Sequence, residues 1–134
     1  MLATLGALLP ASEGPLHVRP RVCVGAPTAL AAGLEGMVVN KDADLFPVLS
    51  LDVGLAGARA HAGLGWPGLG GFGYHSLKVG AIRTWDEPWL AESNTTYVGI
   101  EYTISPVFYF ISVGPYWSPS ADDVTASLYL GLAF

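Results

Sequence analysis

The sequence predicts an all-β fold, a single eight-stranded antiparallel up-and-down barrel. Three observations carry that expectation. Apolar residues alternate with small or polar ones at period two, in segments of about ten residues, the pattern of strands with two unlike faces. Clusters of Gly, Pro, Asn and Asp punctuate the segments, while the period-3.6 stripe of an amphipathic helix is hard to find. The 134 residues are 51% hydrophobic and 13% charged. That is enough apolar material for one folded domain, with about half the roughly 25% charge of an ordinary soluble one.

The same composition excludes several classes of function. Every apolar run is cut by Gly, Pro or a charge before the ~20 residues that a membrane-spanning helix needs. The net charge is -5 with scattered bases, so there is no electrostatic footprint for nucleic acid. Cys23 is the single cysteine, which rules out an internal disulfide and a multi-cysteine zinc site and leaves it as filler in a packed row. His17, His61 and His75 are too widely spread to pair as metal ligands, and no cofactor is expected. Met1 to Ser12, ending in the apolar Leu9-Pro10-Ala11, looks like the tail of a secretory signal without its basic start. Residues 1–12 are therefore expected as a signal-peptide remnant or N-terminal segment, and 13–134 as the barrel domain.

Strands are expected at 16–25, 28–39, 47–55, 58–66, 73–85, 95–105, 107–117 and 123–134. In the first hairpin Arg19 can stand opposite Glu35. In the third strand Leu49, Leu51, Val53 and Leu55 oppose Ser50, Asp52 and Gly54. In the fourth, Ala58, Ala60, Ala62, Leu64 and Trp66 oppose Arg59, His61, Gly63 and Gly65. A two-residue turn at Ala56-Gly57 aligns the apolar rows, with Val53 facing Ala60 and Asp52 beside His61. The glycines from 63 to 73 lack the Gly-x-x-x-x-Gly-Lys pattern of a phosphate loop and read as a turn. The fifth strand sets Leu77, Val79 and Ala81 against Ser76, Lys78 and Gly80, and Lys78 can face Glu101. A turn at Ser105-Pro106 sets Ile104 against Val107, Tyr102 against Tyr109 and Ile100 against Ile111, with Val98 in the same apolar row. Phe108 and Phe110 then share the other face with Glu101.

The last strand is the most regular, with Ala126, Leu128, Leu130, Leu132 and Phe134 on one face and Thr125, Ser127, Tyr129, Gly131 and Ala133 on the other. It resembles the final strand of small bacterial outer-membrane β-barrel proteins of the eight-stranded type. That strand finishes in an aromatic residue after alternating apolar ones and is read by the barrel-assembly machinery. The likeness covers about ten residues closely and the rest by pattern. It implies a bacterial outer-membrane location, a membrane-lipid environment, and Leu130, Leu132 and Phe134 as the assembly signal.

Alternation alone does not say which row faces inward. Three features favour a transmembrane β-barrel. Of the charged residues, Glu13, Lys41, Asp42, Asp44, Asp86, Glu87, Glu92, Asp122 and Asp123 fall in the tail and loops, leaving about one charge per strand, thin cover for a water-facing wall. The polar row is rich in Gly and Ala, as a narrow eight-stranded lumen requires. Trp66, Trp85, Trp89 and Trp117, with Tyr74 and Tyr116, sit near strand ends or in a loop, as in interfacial aromatic girdles. Arg83 on the apolar row lies near Trp85, where it can snorkel to headgroups. The lipid-facing set is then Leu49, Leu51, Val53, Leu77, Val79, Val98, Ile100, Leu128, Leu130 and Leu132.

Inside, Arg19, Arg21, Glu35, Asp52, Arg59, His61, Lys78 and Glu101 would form one network, which must be paired to survive low dielectric. A salt-bridged plug is the plain reading of it, and a narrow pore the functional alternative. Asp52 with His61 suggests a general base, but a nucleophile is missing: Ser50 shares the face of Asp52, and nothing in the sequence places it within reach of the imidazole. His75-Ser76 is similar in composition to the pair in outer-membrane lipid A deacylases, yet adjacent strand residues point to opposite faces. The expected function is a non-enzymatic structural or narrow-pore barrel. The competitors are a soluble calycin-like barrel whose cavity is lined by Leu49, Leu51, Ile100 and Leu130, and a lipid-modifying enzyme. Acidic loops at 40–46, 86–94 and 118–123 could meet protein partners.

Overall fold

The computed structural model describes residues 16–39, 44–68, 73–106 and 108–134. The expected N-terminal segment 1–12 and the loop charges Glu13, Lys41 and Asp42 lie outside them. The described chain forms β1 (Leu16–Ala26), β2 (Ala29–Val38), β3 (Phe46–Gly54), β4 (Gly57–Pro67), β5 (Tyr74–Thr84), β6 (Thr96–Ser105), β7 (Tyr109–Ser118) and β8 (Asp123–Ala133). Each strand pairs antiparallel with the next, and β1 closes on β8 through a register running from Arg21↔Ala133 to Ala26↔Leu128. The fold is a closed eight-stranded up-and-down barrel, so every strand has a partner on each side.

Side chains divide by parity. The inward row is mostly small, polar or charged, with Met37, Phe46, Val48, Ile82 and Phe110 as its larger apolar members, and Ser50, Asp52, Arg59, His61, Ser76, Lys78 and Glu101 are all buried. The outward row is apolar, with Leu49, Leu51, Val53, Leu77, Val79, Val98, Ile100, Leu128, Leu130 and Leu132 each between 42% and 64% exposed. A cavity lined by Leu49, Leu51, Ile100 and Leu130, the expectation for a calycin-like binder, is not formed, because all four point away from the axis.

Two registers differ from the sequence expectation. Between β3 and β4 the turn is Leu55-Ala56, so Val53 faces Ala58, Asp52 faces Arg59 and Ser50 faces His61. The turn is tied down by Leu55 and Ala56 amides donating to the Leu30 and Thr28 carbonyls, at 2.9 and 3.2 Å. Between β6 and β7 the link spans residues 106–108, so Ile104 pairs with Ile111 and Tyr102 with Val113. Val107 lies outside the described residues, and Phe108 is exposed in the link and not on the inner face with Phe110. Both slips are even numbers of residues, so every side chain keeps its face.

The connections β1–β2, β3–β4, β5–β6 and β7–β8 share one end of the barrel. There the β5–β6 segment, residues 85–95, folds across the mouth. The Trp89 amide donates to the Pro27 carbonyl at 3.0 Å, the Trp85 amide and indole Nε1 donate to the Ala56 and Leu55 carbonyls at 3.1 and 2.7 Å, and Thr125 Oγ1 donates to the Leu90 carbonyl.

Candidate functional site: a sealed charge network

The interior holds Arg19, Arg21, Arg59 and Lys78 against Glu35, Asp52 and Glu101, with His61 beside them, all at most 5% exposed. Local register begins the network. Arg19 stands opposite Glu35 on β2 and donates from Nε to Oε1 at 3.0 Å. Its Nη2 reaches across the barrel to the Tyr74 and Ser105 hydroxyls at 2.6 and 2.9 Å. Arg21 bridges two strands, donating from Nη1 to Glu35 Oε2 at 3.0 Å and from Nε to Asp52 Oδ1 at 2.8 Å, with Nη2 on Asp52 Oδ2 as the second tine of a fork. A guanidinium suits this role because its planar donors match a carboxylate edge.

Arg59 continues the chain, giving Nη1 to both oxygens of Glu101 at 3.0 and 2.9 Å. Its Nε lies 2.9 Å from Asp52 Oδ2 without hydrogen-bond geometry, which makes that contact an ion pair only. Aromatic faces cover the two arginines: Arg59 sits 3.7 Å from the Tyr129 ring centre and Arg21 5.0 Å from that of Phe110, contacts that favour a desolvated cation. Tyr74 donates to Glu35, and Tyr116 donates to Glu101 at 3.0 Å while bonding His61 Nε2. Lys78 faces Glu101 in register, yet its Nζ makes no hydrogen bond among the described residues, lying 3.6 and 3.9 Å from Glu35 and Glu101.

Glycines make these reaches possible. Gly33 stands between Arg21 and Asp52 in the register, and a Cβ there would sit 2.4 Å from Asp52 Oδ1. Gly80 and Gly99 separate His61 from Tyr116 across three strand pairs, and added Cβ atoms would meet the two rings at 2.6 and 2.8 Å. Long polar side chains lie flat along the inner wall wherever the neighbouring strand offers no side chain.

The structure thus brings together Arg19, Arg21, Glu35, Asp52, Arg59, His61, Lys78 and Glu101. It does not assemble a triad: Ser50 Oγ and His61 Nδ1 are both without hydrogen-bond partners among the described residues, so no bond joins them, and Asp52 is occupied by Arg21. His75 and Ser76 face opposite sides, Ser76 sealed inside and His75 on the outer wall. Tyr74 and Tyr116, expected near the girdle, are inward members of the network at 7% and 1% exposure. Sequence reasoning missed their role and that of Tyr129, although parity with Lys78, Phe110 and Ser127 respectively was there to be read. Among the described residues no group of His, Cys, Asp and Glu is arranged to hold a metal. No protein-family model, no curated protein and no solved structure matches the chain.

Proposed function

We propose that the chain is a small transmembrane barrel of a bacterial outer membrane, structural in role, non-catalytic and closed to ions. The observation that carries this reading is the inversion of polarity. Glu35, Asp52, Lys78 and Glu101 are 0% exposed while Leu49 and Val79 are 64% and 61% exposed. In water, both halves of that arrangement are unfavourable: ions are stripped of solvent and leucines are left in it. Against acyl chains the outer row carries no penalty, and the enclosed charges satisfy one another. Strands of 9 to 11 residues also match the ~9–11 residues of a tilted membrane strand.

The closed lumen supports a structural role over a pore. Arg21, Arg59, Tyr97, Tyr116, Tyr129 and Phe110 fill it as fully buried side chains, and the 85–95 segment covers one mouth. The outward Leu130, Leu132 and Phe134 on and after β8 are offered to the barrel-assembly machinery. Asp86, Glu87, Glu92, Asp122 and Asp123 gather at the covered end and would present any protein partner with an acidic surface.

Two measurements test the reading. The folded protein is expected to require detergent and to change gel mobility on boiling, and recovery as a soluble monomer without detergent would sink the membrane assignment. In planar bilayers the inserted protein is expected to stay electrically silent; discrete conductance steps would replace the plug with a pore.

A further inference from the structure

Among outward-facing side chains of the described strands, tyrosines aside, only His75 and Arg83 can carry charge. Both belong to β5, eight residues apart, with Leu77, Val79 and Ala81 between them. At about 3.3 Å per residue they stand about 26 Å apart along the strand. That is about 20 Å along the membrane normal at a tilt of about 40°, close to the ~25 Å apolar band of such barrels. Each end of β5 therefore places one nitrogen-bearing side chain at headgroup depth.

His75 is far more organised than an interfacial residue needs to be. Trp66 on β4 is its register partner, and the two rings stack at 5.8 Å between centres and 7° between planes. Tyr102 on β6 is its diagonal neighbour, with Oη 2.5 Å from His75 Nδ1. Either tautomer makes this bond, and in the one where the phenol donates to Nδ1 the ring proton sits on Nε2. Nε2 has no hydrogen-bond partner among the described residues and is not sealed from its surroundings. The imidazole is stacked on one side, oriented on the other, and presents Nε2 outward. Leu64 and Leu77, one outward step nearer the barrel's middle on β4 and β5, are both 49% exposed, and Ile104 lies beside His75 on β6.

We propose that Trp66, His75 and Tyr102 form a binding site for one glycerophospholipid, with His75 Nε2–H donating to a phosphodiester oxygen and an acyl chain lying along Leu64 and Leu77. The phosphodiester is the strongest acceptor at that depth. The flanking leucines select a lipid over a free anion. The inference rests on the membrane reading above.

The test uses folded protein in non-ionic detergent, in an Arg83→Met background that silences the cation at the other end of β5. Native mass spectrometry follows titration with phosphatidylglycerol, with diacylglycerol of the same chains, and with inorganic phosphate. The parent is expected to retain one phosphatidylglycerol about tenfold more tightly than His75→Phe, the loss of one charge-assisted hydrogen bond. That variant keeps a ring to stack on Trp66. Tyr102→Phe, which leaves the imidazole in place, is expected to fall between. Equal retention by the parent and both variants overturns the site. Equal retention of diacylglycerol reduces it to apolar adhesion, and equally tight binding of inorganic phosphate makes it an anion site unrelated to lipid. Any of these outcomes with a protein that still needs detergent to stay folded leaves the membrane reading standing. Failure of that reading shows instead as solubility without detergent.

Discussion

The carboxylates and the lysine of the interior are unequal partners. Glu101 accepts from Arg59 through both oxygens and from Tyr116, so Glu101→Gln leaves the Arg59 guanidinium with Asp52 as its one carboxylate partner in a sealed lumen. Removing one member of a buried pair costs about 3–5 kcal/mol, and the unfolding midpoint in denaturant should fall accordingly. Lys78 is different. Its Nζ has no hydrogen bond among the described residues, and each carboxylate keeps an arginine donor without it. Lys78→Met also brings the permanent interior charges from four against three to three against three. That substitution is expected to change stability by under about 1 kcal/mol, or to raise it, because a desolvated cation is replaced by a flexible apolar chain of similar length. A loss as large as that of Glu101→Gln would show that Lys78 is bonded in a way its distances do not suggest. In the sequence, membership of this network was readable from parity alone. Who bonds whom was legible only between adjacent strands, as with Arg19 and Glu35: Arg19 also reaches Tyr74 and Ser105 across the lumen, and no spacing rule reports a cross-barrel distance.

Strands in this chain are held in place by what their glycines omit. Gly33 on β2 lies where a Cβ would stand 2.0 Å from the Leu51 carbonyl oxygen and 2.4 Å from Asp52 Oδ1, whereas a Cβ at outward-facing Gly36 on the same strand would meet nothing within 4 Å. Gly33→Ala is expected to displace Asp52 from Arg21 and to destabilise by at least about 1–3 kcal/mol, as overpacking does. Gly36→Ala should be neutral or stabilising by roughly 0.5–1 kcal/mol, since alanine has less backbone freedom to lose on folding. Parallel denaturation curves of the two variants check the contrast, and equal behaviour would mean that the inner wall has slack at Gly33. This scale also marks where sequence reading stops. Period two names the face of every residue from Leu49 to Leu55, but a two-residue slip preserves that pattern, so Asp52 against His61 and Asp52 against Arg59 are equally consistent with it. Carbonyls from the neighbouring β1–β2 hairpin, which accept the Leu55 and Ala56 amides, decide the β3–β4 turn, and these contacts are not local in sequence. The β6–β7 link likewise takes more residues than Ser105-Pro106, so the pairs move by four while the faces stay.

For the whole molecule, the remaining question is what surrounds the outer wall, and depth gives an answer that burial cannot. In a bilayer, lysine on the lipid face costs about 2–4 kcal/mol at the midplane and about 0–1 near either interface. In water, a lysine at either depth replaces an exposed valine with a hydrated ion and costs little. Val79 occupies the middle of β5 and is 61% exposed, and Val124 opens β8 at the covered end and is 72% exposed. Exposure is thus similar at the two sites, and only position along the barrel differs. Measured by guanidinium unfolding from lipid vesicles, Val79→Lys should lose about 2–4 kcal/mol and Val124→Lys at most about 1 kcal/mol. The dependence on depth is what a lipid surround imposes and an aqueous one does not. Two equal, small effects would place both valines in water and return the apolar wall to being an unexplained surface.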